Sequence, residues 1–422
     1  MFAICANCAR AQLENGGRYD GIISFVGEND SWTFSATNGD RIVIRHAQLT
    51  ATNSFSVRTR VYDPGGALLG TRTGGVGEHA YNVTSNGTYT VTVTDGSGPL
   101  NGTGAYRLYF VKLPGTFTIP AGDDGGVLPG SGEFQDGTIG SLGDMDLWTF
   151  SATNGERIVI RTARQSVTNS FSSWMRIYDP GGNLLISQNG VVNEHTFSAA
   201  TNGTFTVLMT DGSGPFTGTG TYRIYFVKLP GTFTIPAGDD GGELIQAANF
   251  AGTIWLGDLD VWSFNACEGD AFTLQIDELT GGTSFVPQMR LYGRDGSLLN
   301  TASGQTTAQI NRTAPATGTY TLVVADASGP LTGTGTYQLM GLGIKSGLTL
   351  CRPIITGGNF FLSAPGGETA APVVLLTQTN VAAPLPLWTP IVTNQFNQFG
   401  VFGFTNLFDR SEAQRYFRLS TP

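Results

Sequence analysis

The sequence predicts an all-β chain: three tandem antiparallel β-sandwiches of jelly-roll or immunoglobulin-like type, followed by a small β module. Three observations predict it. The string from Leu113 to Gly126 recurs letter for letter from Leu229 to Gly242, which marks the duplication of a whole domain. Segments such as Thr88 to Thr94 alternate strictly, with Tyr89, Val91 and Val93 on one face and threonines on the other, the pattern of a strand half in a core and half in water. Glycine supplies 59 of 422 residues and charged residues only 13%, the balance that short strands joined by many turns produce.

Landmarks give the period. Trp32, Trp148 and Trp262, and likewise Asp95, Asp211 and Asp326, recur about 115 residues apart, too long for a solenoid repeat and long enough for each copy to own a core. The copies read as beads on a string at residues 18–126, 127–242 and 243–356, preceded by a tail at 1–17 and followed by a module at 357–422.

In chain order, Met1 to Gln12 is small and apolar and ends in Ala9-Arg10-Ala11-Gln12, the pattern of a signal-peptidase site at the tail of a leader. Cys5 and Cys8 fall inside that remnant. Trp32, Phe34 and Ala36 form one apolar strand face and Ile42 with Ile44 another; Asn38-Gly39 between them predicts a hairpin over residues 31–45. Further strands are expected near Ser56 to Tyr62, His79 to Val83, Thr88 to Thr94 and Tyr106 to Val111, with turns at Asp63-Pro64-Gly65-Gly66 and Asp95-Gly96-Ser97-Gly98. Seven to nine strands per copy and almost no helix follow from this spacing. From Gly357 aromatic residues crowd together, predicting four or five strands that cap the third copy or act as a sorting or anchoring tag.

Net charge is −9 with three lysines, Lys112, Lys228 and Lys345, and no basic stripe of the kind phosphate binding needs, so nucleic acid is not an expected partner. No apolar run reaches the length of a membrane-spanning helix. Cys267 replaces residues that are Thr37 and Thr153 in the other copies; with Cys351 it predicts a disulfide particular to the third copy and points to an oxidising compartment.

Gly143-Asp144-Met145-Asp146-Leu147-Trp148-Thr149-Phe150, Ile158-Val159-Ile160, Arg176-Ile177-Tyr178-Asp179, Gly203-Thr204-Phe205-Thr206-Val207 and Tyr222-Arg223-Ile224 resemble the bacterial pre-peptidase C-terminal domain. The resemblance spans all three copies, roughly residues 18–350. It implies a secreted β-sandwich attached to peptidases and other exported proteins, serving targeting or binding, with calcium bound in some relatives. Two departures stand out: no peptidase domain accompanies the copies, and the family's acidic residue before the Leu-Tyr-Asp strand is replaced by Arg60, Arg176 and Arg290. The C-terminal stretch, with Trp388-Thr389 and Arg415-Tyr416-Phe417-Arg418-Leu419, is similar to closing segments of large exported bacterial proteins.

Catalysis finds little footing. His46, His79 and His195 have no zinc-binding spacing or nucleophile elbow beside them, and His79 and His195 read as surface residues of an edge strand. Metal binding is the better candidate. Each copy opens its Trp strand with two acids two residues apart, Glu28 and Asp30, Asp144 and Asp146, Asp258 and Asp260; in an extended chain both carboxylates point the same way, as oxygen ligands of Ca²⁺ would. Asp123 and Asp124, Asp239 and Asp240, or Asp95, Asp211 and Asp326 would have to join them to complete a calcium shell; otherwise the acids cap turns. Arg60, Arg176 and Arg290 read as cross-strand ion-pair partners or as a ligand ladder. The expected function is that of a secreted or cell-surface, non-enzymatic β-sandwich repeat protein acting as a binding or structural spacer. Its alternatives are a calcium-dependent carbohydrate- or protein-binding accessory module of a secreted hydrolase system, or a subunit of a self-assembling extracellular fibre. The partners would be extracellular polysaccharide, protein or the chain itself.

Overall fold

Each copy folds as two stacked sheets. The computed structural model describes residues 11–407 and 414–421; Cys5, Cys8 and most of the leader pattern lie outside the described residues. In the first copy nine strands form: β1 (Ala11–Gln12), β2 (Arg18–Ile23), β3 (Asn29–Ala36), β4 (Arg41–Gln48), β5 (Val57–Tyr62), β6 (Leu68–Gly74), β7 (Val76–Asn82), β8 (Gly87–Asp95) and β9 (Gly104–Leu113). One sheet has the order β1-β3-β8-β5-β6 and the other β2-β9-β4-β7. The second and third copies repeat both orders strand for strand. Apart from β1, which runs parallel to β3, the pairings in the first copy are antiparallel.

Alternation builds the core. Phe34, Ala36, Ile42, Ile44, Tyr89, Val91, Val93 and Tyr106 point inward and are buried together, and Phe34 stacks on Tyr89 at 5.2 Å between ring centroids. The same stack recurs as Phe150 on Phe205 and Phe264 on Tyr320, in the same register of the Trp strand against its neighbour.

Two readings of the sequence need correction. Residues 31–45 are not a hairpin: β3 pairs with β8 while β4 pairs with β7 and β9 in the opposite sheet. Asn38-Gly39, with Gly39 at φ 95°, carries the chain from one layer to the other, because both strands aim their apolar residues at one core from opposite sides. The edges of the copies also differ. Ala11 and Gln12, read as the end of a leader, form an edge strand on Trp32 and Thr33, and Gly125–Val127, at the end of the shared string, pairs with Leu147, Trp148 and Thr149 of the second sandwich. Gly241–Glu243 does the same for the third.

The chain divides into two units. The first runs to Phe226 and holds the first two sandwiches, with the short stretches Gly130–Glu133 and Glu156–Ile158 grouped into the second. Within the first unit the sandwiches are not independent beads. Val43, Tyr109, Val111 and Leu113 of the first are buried against Met145, Leu147, Tyr178 and Leu208 of the second. Beside this apolar contact Glu78 accepts hydrogen bonds from Arg45 Nε at 2.7 Å and from Arg176 Nη1 and Nη2 at 2.7 and 3.0 Å. Burial alone would raise the Glu78 carboxyl, but Arg45 and Arg176 together hold it below its ordinary range. The Arg176 guanidinium lies 4.1 Å from the Trp174 ring centroid and that of Arg45 4.9 Å from Phe216, so planar cations are stacked as well as paired. Arg176 is therefore bound to an acid of the preceding copy, not to one across its own sheet. Arg60, at the matching position of the first copy, has no such partner among the described residues, and Arg290 is buried.

The second unit, from Val227 onward, holds the third sandwich and the C-terminal module. The third core gathers Trp262, Phe264, Phe272, Phe285, Tyr320 and Tyr337. Among the described residues the module has six strands rather than four or five, in two three-stranded sheets: Ile354–Thr356, Asn359–Ala364 and Phe402–Leu407 in one, Thr389–Gln395, Pro372–Gln378 and Tyr416–Ser420 in the other. Its core is Phe360, Leu362, Ala364, Val373, Leu375, Phe396 and Phe402, small for an independent fold. Cys267 of the third sandwich and Cys351 at the head of the module are joined by a disulfide across a separation of 84 residues. Replacing both cysteines by serine is expected to lower unfolding stability of this unit by about 4.5 kcal/mol, the loop-closure value for such a span, measured by denaturant titration with and without reductant.

Candidate functional site

Three residues recur as a hydrogen-bonded chain across every sandwich. In the first, Trp32 Nε1 donates to Tyr106 Oη at 2.9 Å, and Tyr106 O–H donates to Asp30 Oδ2 at 2.6 Å. Trp148, Tyr222 and Asp146 repeat this at 2.8 and 2.6 Å, and Trp262, Tyr337 and Asp260 at 3.0 and 2.5 Å. The Trp and Asp sit on one sheet and the Tyr on the other, so the chain bridges the layers. A glycine in the adjacent strand makes room: a Cβ at Gly137 would collide with the Tyr222 ring.

This chain fixes the second acid of each pair; the first is set by a turn. Asp144 accepts from the backbone N–H of Gly140 at 2.8 Å and of Met145 at 3.2 Å, and Asp258 from Trp255 and Leu259 at 3.1 and 2.9 Å. A third acid enters from the linker. Asp123, Asp144 and Asp146 converge, as do Asp239, Asp258 and Asp260, each group offering carboxylate oxygens within 4.8 Å of one another. Asp124 and Asp240 turn away, accepting from the N–H of Thr138 and Thr253. Asp95, Asp211 and Asp326 stay apart too: each organises its own loop, as Asp95 does by accepting from Ser56, Ser97 and Gly102. The first copy differs. Asp30 is half-buried on Tyr106, while Glu28, also half-buried, folds back to accept from Ser24 and Phe25 N–H. The position matching Asp123 falls in residues 1–10, outside the described residues.

The electrostatics of the two clusters is unbalanced. Asp146 and Asp260 are fully buried and keep one oxygen, Oδ1, without a hydrogen-bond partner. Burial first, then the neighbouring Asp144 or Asp258, raises each carboxyl well above its ordinary range. Burial and Asp144 push Asp123 up to about 6. Arg18 Nη1, 3.9 Å from Asp123, is a cation at the first cluster. Three close carboxylates of hard oxygen, one of them carrying a buried oxygen without a partner, suit a divalent cation such as Ca²⁺ completed by carbonyl or water oxygens. Asp123, Asp144 and Asp146 would hold one ion, and Asp239, Asp258 and Asp260 a second.

Sequence reasoning found the acid pairs but missed the tyrosines and Glu78. A tyrosine recurring at Tyr106, Tyr222 and Tyr337, each opposite a strand glycine, was the signal for the bridge; Glu78 and Glu194 before the histidines were the signal for the clamp. The histidines themselves are placed differently from the surface reading. His79 and His46 are fully buried in the first core, and His195 is half-buried, stacked on Phe197 at 5.2 Å.

The family model of the bacterial pre-peptidase C-terminal domain matches residues 258–326, from the acid pair of the third sandwich to its loop aspartate. The first two sandwiches share the strand order of the matched one. Among solved structures, the chain is similar to the pre-peptidase C-terminal domain of a collagenase from Bacillus anthracis, with 19% identity over 26% of this chain and 98% of that one, TM-score 0.21. Tripeptidyl peptidase 2 matches at 9% identity over 93% of this chain and 39% of that one, TM-score 0.20. A tetra-tandem repeat from the extending region of a large adhesion protein matches at 11% identity over 88% and 92%, TM-score 0.15. No curated protein matches the chain.

Because the Asp146 carboxyl holds its proton more tightly folded than unfolded, its ionisation costs stability as pH rises above about 4. Asp146→Asn in chelator is therefore expected to stabilise the chain at pH 7, a gain that fades towards pH 4, read by denaturant melts across that range.

Proposed function

We propose that this chain is a secreted or cell-surface, non-enzymatic spacer, a run of β-sandwiches that holds attached or bound partners at a fixed separation. The observation that carries this reading is the junction within the first unit, where apolar packing and the Arg45–Glu78–Arg176 clamp replace a free linker. Inter-domain contacts default to mobility unless they are large and apolar; this one adds a buried, bidentate ion pair with specific geometry. The placement of the histidines supports the non-enzymatic part, since His46 and His79 are sealed in a core. The pre-peptidase C-terminal match and the disulfide support an exported protein.

The junction of the first unit is not offered for repetition between copies of the chain, which speaks against a fibre built on that contact. In the first sandwich the face matching Met145, Leu147, Leu208 and Thr210 carries Asn29, Ser31, Thr92 and Thr94. In the third, the face matching Val43, Arg45, Glu78 and Ala80 carries Thr273, Gln275, Gln309 and Asn311. Polar faces there cannot reproduce the apolar contact of the first unit, so one chain would not add to another by the same junction.

A second reading, calcium-dependent binding of extracellular polysaccharide or protein, is favoured by the paired aspartate clusters. In the spacer reading the same ions would be structural, pinning each linker to the sandwich that follows.

Two measurements separate these readings. Calcium added to chelator-treated protein is expected to raise the melting midpoint and to displace Tb³⁺ luminescence sensitised by Trp148 and Trp262; an Asp146→Asn/Asp260→Asn variant should show neither effect, and an unchanged wild-type midpoint would remove calcium from both readings. Distances between fluorophores on the first and second sandwiches should be narrowly distributed in the wild type and broad in Glu78→Ala, with or without calcium. A broad wild-type distribution would sink the spacer.

A further inference from the structure

Beside its Trp–Tyr–Asp chain, the first sandwich carries a second polar bridge through its core, built on two histidines, a set of residues the other two copies do not repeat. His46 lies on β4, Thr59 on β5, and His79 and Tyr81 on β7. His46 Nδ1 is 2.8 Å from Thr59 Oγ1, Thr59 Oγ1 is 2.8 Å from His79 Nε2, and His79 Nδ1 is 2.5 Å from Tyr81 Oη. β4 and β7 belong to one sheet and β5 to the other, so this chain of contacts spans the layers. His46, Thr59 and His79 are all fully buried. At the matching positions the second copy has Thr162, Met175 and His195 and the third has Ile276, Met289 and Ile310.

The bridge works for neutral rings only. Thr59 has one hydroxyl hydrogen, which it can donate to one imidazole while accepting an N–H from the other. Where His46 Nδ1–H donates to Thr59 and the Thr59 hydroxyl donates to His79 Nε2, a proton added to His79 turns its accepting nitrogen into a second donor and strands the Thr59 hydrogen; in the reverse arrangement a proton on His46 Nδ1 does the same. In the first arrangement a proton added to His46 falls on Nε2, which is buried without a hydrogen-bond partner, and an uncompensated buried cation is far costlier than a buried lone pair. The groups around the rings offset this charge only in part: the Gly74 backbone favours a charged His46, and the Thr59 backbone and Glu78 favour a charged His79, but burial outweighs them. Arg72 adds positive potential to both, and Glu78, next to His79 in sequence, points to the opposite face of β7, where Arg45 and Arg176 occupy its carboxylate. Burial holds His46 down at about 3 and His79 at about 4.

We propose that the His46–Thr59–His79–Tyr81 bridge makes the first sandwich an acid-sensitive element, which loosens on protonation and lets go of the second sandwich. The coupling is geometric. Residues 78 and 79 are neighbours on β7 and face opposite sides of the sheet, so opening β7 removes the core bridge and withdraws Glu78 from Arg176 in the same movement. The sign follows from proton linkage: the unfolded chain, with histidines near 6.5, takes up two protons that the folded core refuses, so stability conferred by the neutral bridge is complete above about 6.5 and is lost as pH falls towards 4.

Segment-resolved hydrogen exchange on the full chain, corrected for intrinsic pH dependence, tests this. Between pH 7.5 and 5 the opening constant of β4 and β7 is expected to rise by up to about 100-fold per pH unit below 6.5, the two-proton limit, while residues 157–164 and 271–280, the strands matching β4, change far less. Replacing the bridge with the third copy's residues, His46→Ile/Thr59→Met/His79→Ile, should abolish the difference between sandwiches. If that variant does not fold, the wild type still decides: ¹H–¹⁵N imidazole spectra should show His46 and His79 neutral until the first sandwich opens. Imidazoles that titrate near 6.5 in a chain still folded, or equal acid response in all three sandwiches, would overturn the proposal.

Discussion

The constraint on which the molecule depends is the Trp–Tyr–Asp chain that crosses each sandwich. A β-sandwich is held mainly by non-directional apolar contact between its layers; these hydrogen bonds, at 2.5 to 3.0 Å in all three copies, fix how one sheet lies over the other. They also decide where charge accumulates. In the second and third copies, by seating one carboxylate of the acid pair on a buried tyrosine, the fold leaves its second oxygen facing the other acids, so the same contact that aligns the layers assembles the aspartate clusters.

Copies of one domain diverge where they touch something else. The inner face of the strand containing Val91 stays apolar as Phe205, Val207 and Met209 in the second copy and Tyr320, Leu322 and Val324 in the third. Its outer face changes: Thr92 becomes Leu208 and Val323, and Ser31 becomes Leu147 and Val261. In the second copy those apolar residues are buried against the first sandwich. Drift on a face that should be wet was thus the imprint of a neighbour.

Much of the fold was legible because alternation and turn chemistry are local. The strands near Tyr62, Val83, Thr94 and Val111 sit where the residue pattern placed them, and the strand count follows from turn spacing. What failed was pairing. Asn38-Gly39 suits a hairpin equally well as an arch between layers, and only the long-range partners of β3 and β4 distinguish them. The acid pairs were legible from their two-residue spacing; Asp123 and Asp239 were visible as residues, but their convergence depends on a parallel edge strand that no periodicity announces. Glu78 and Arg176 are 98 residues apart, beyond the reach of any local pattern. His79 was misplaced because β7 is an edge strand whose inner face is nonetheless sealed by the opposite sheet.

The parallel strand Gly125–Val127 has a practical meaning for anyone dissecting the molecule. A fragment begun after residue 127, where the repeat in the sequence invites the cut, would strip the second sandwich of its outermost strand and bare the backbone amides and carbonyls of Leu147 to Thr149. Such an unprotected margin pairs readily with other chains, so the excised piece would lean towards aggregation, whereas one begun upstream of Asp123 would carry its own border and its third acid.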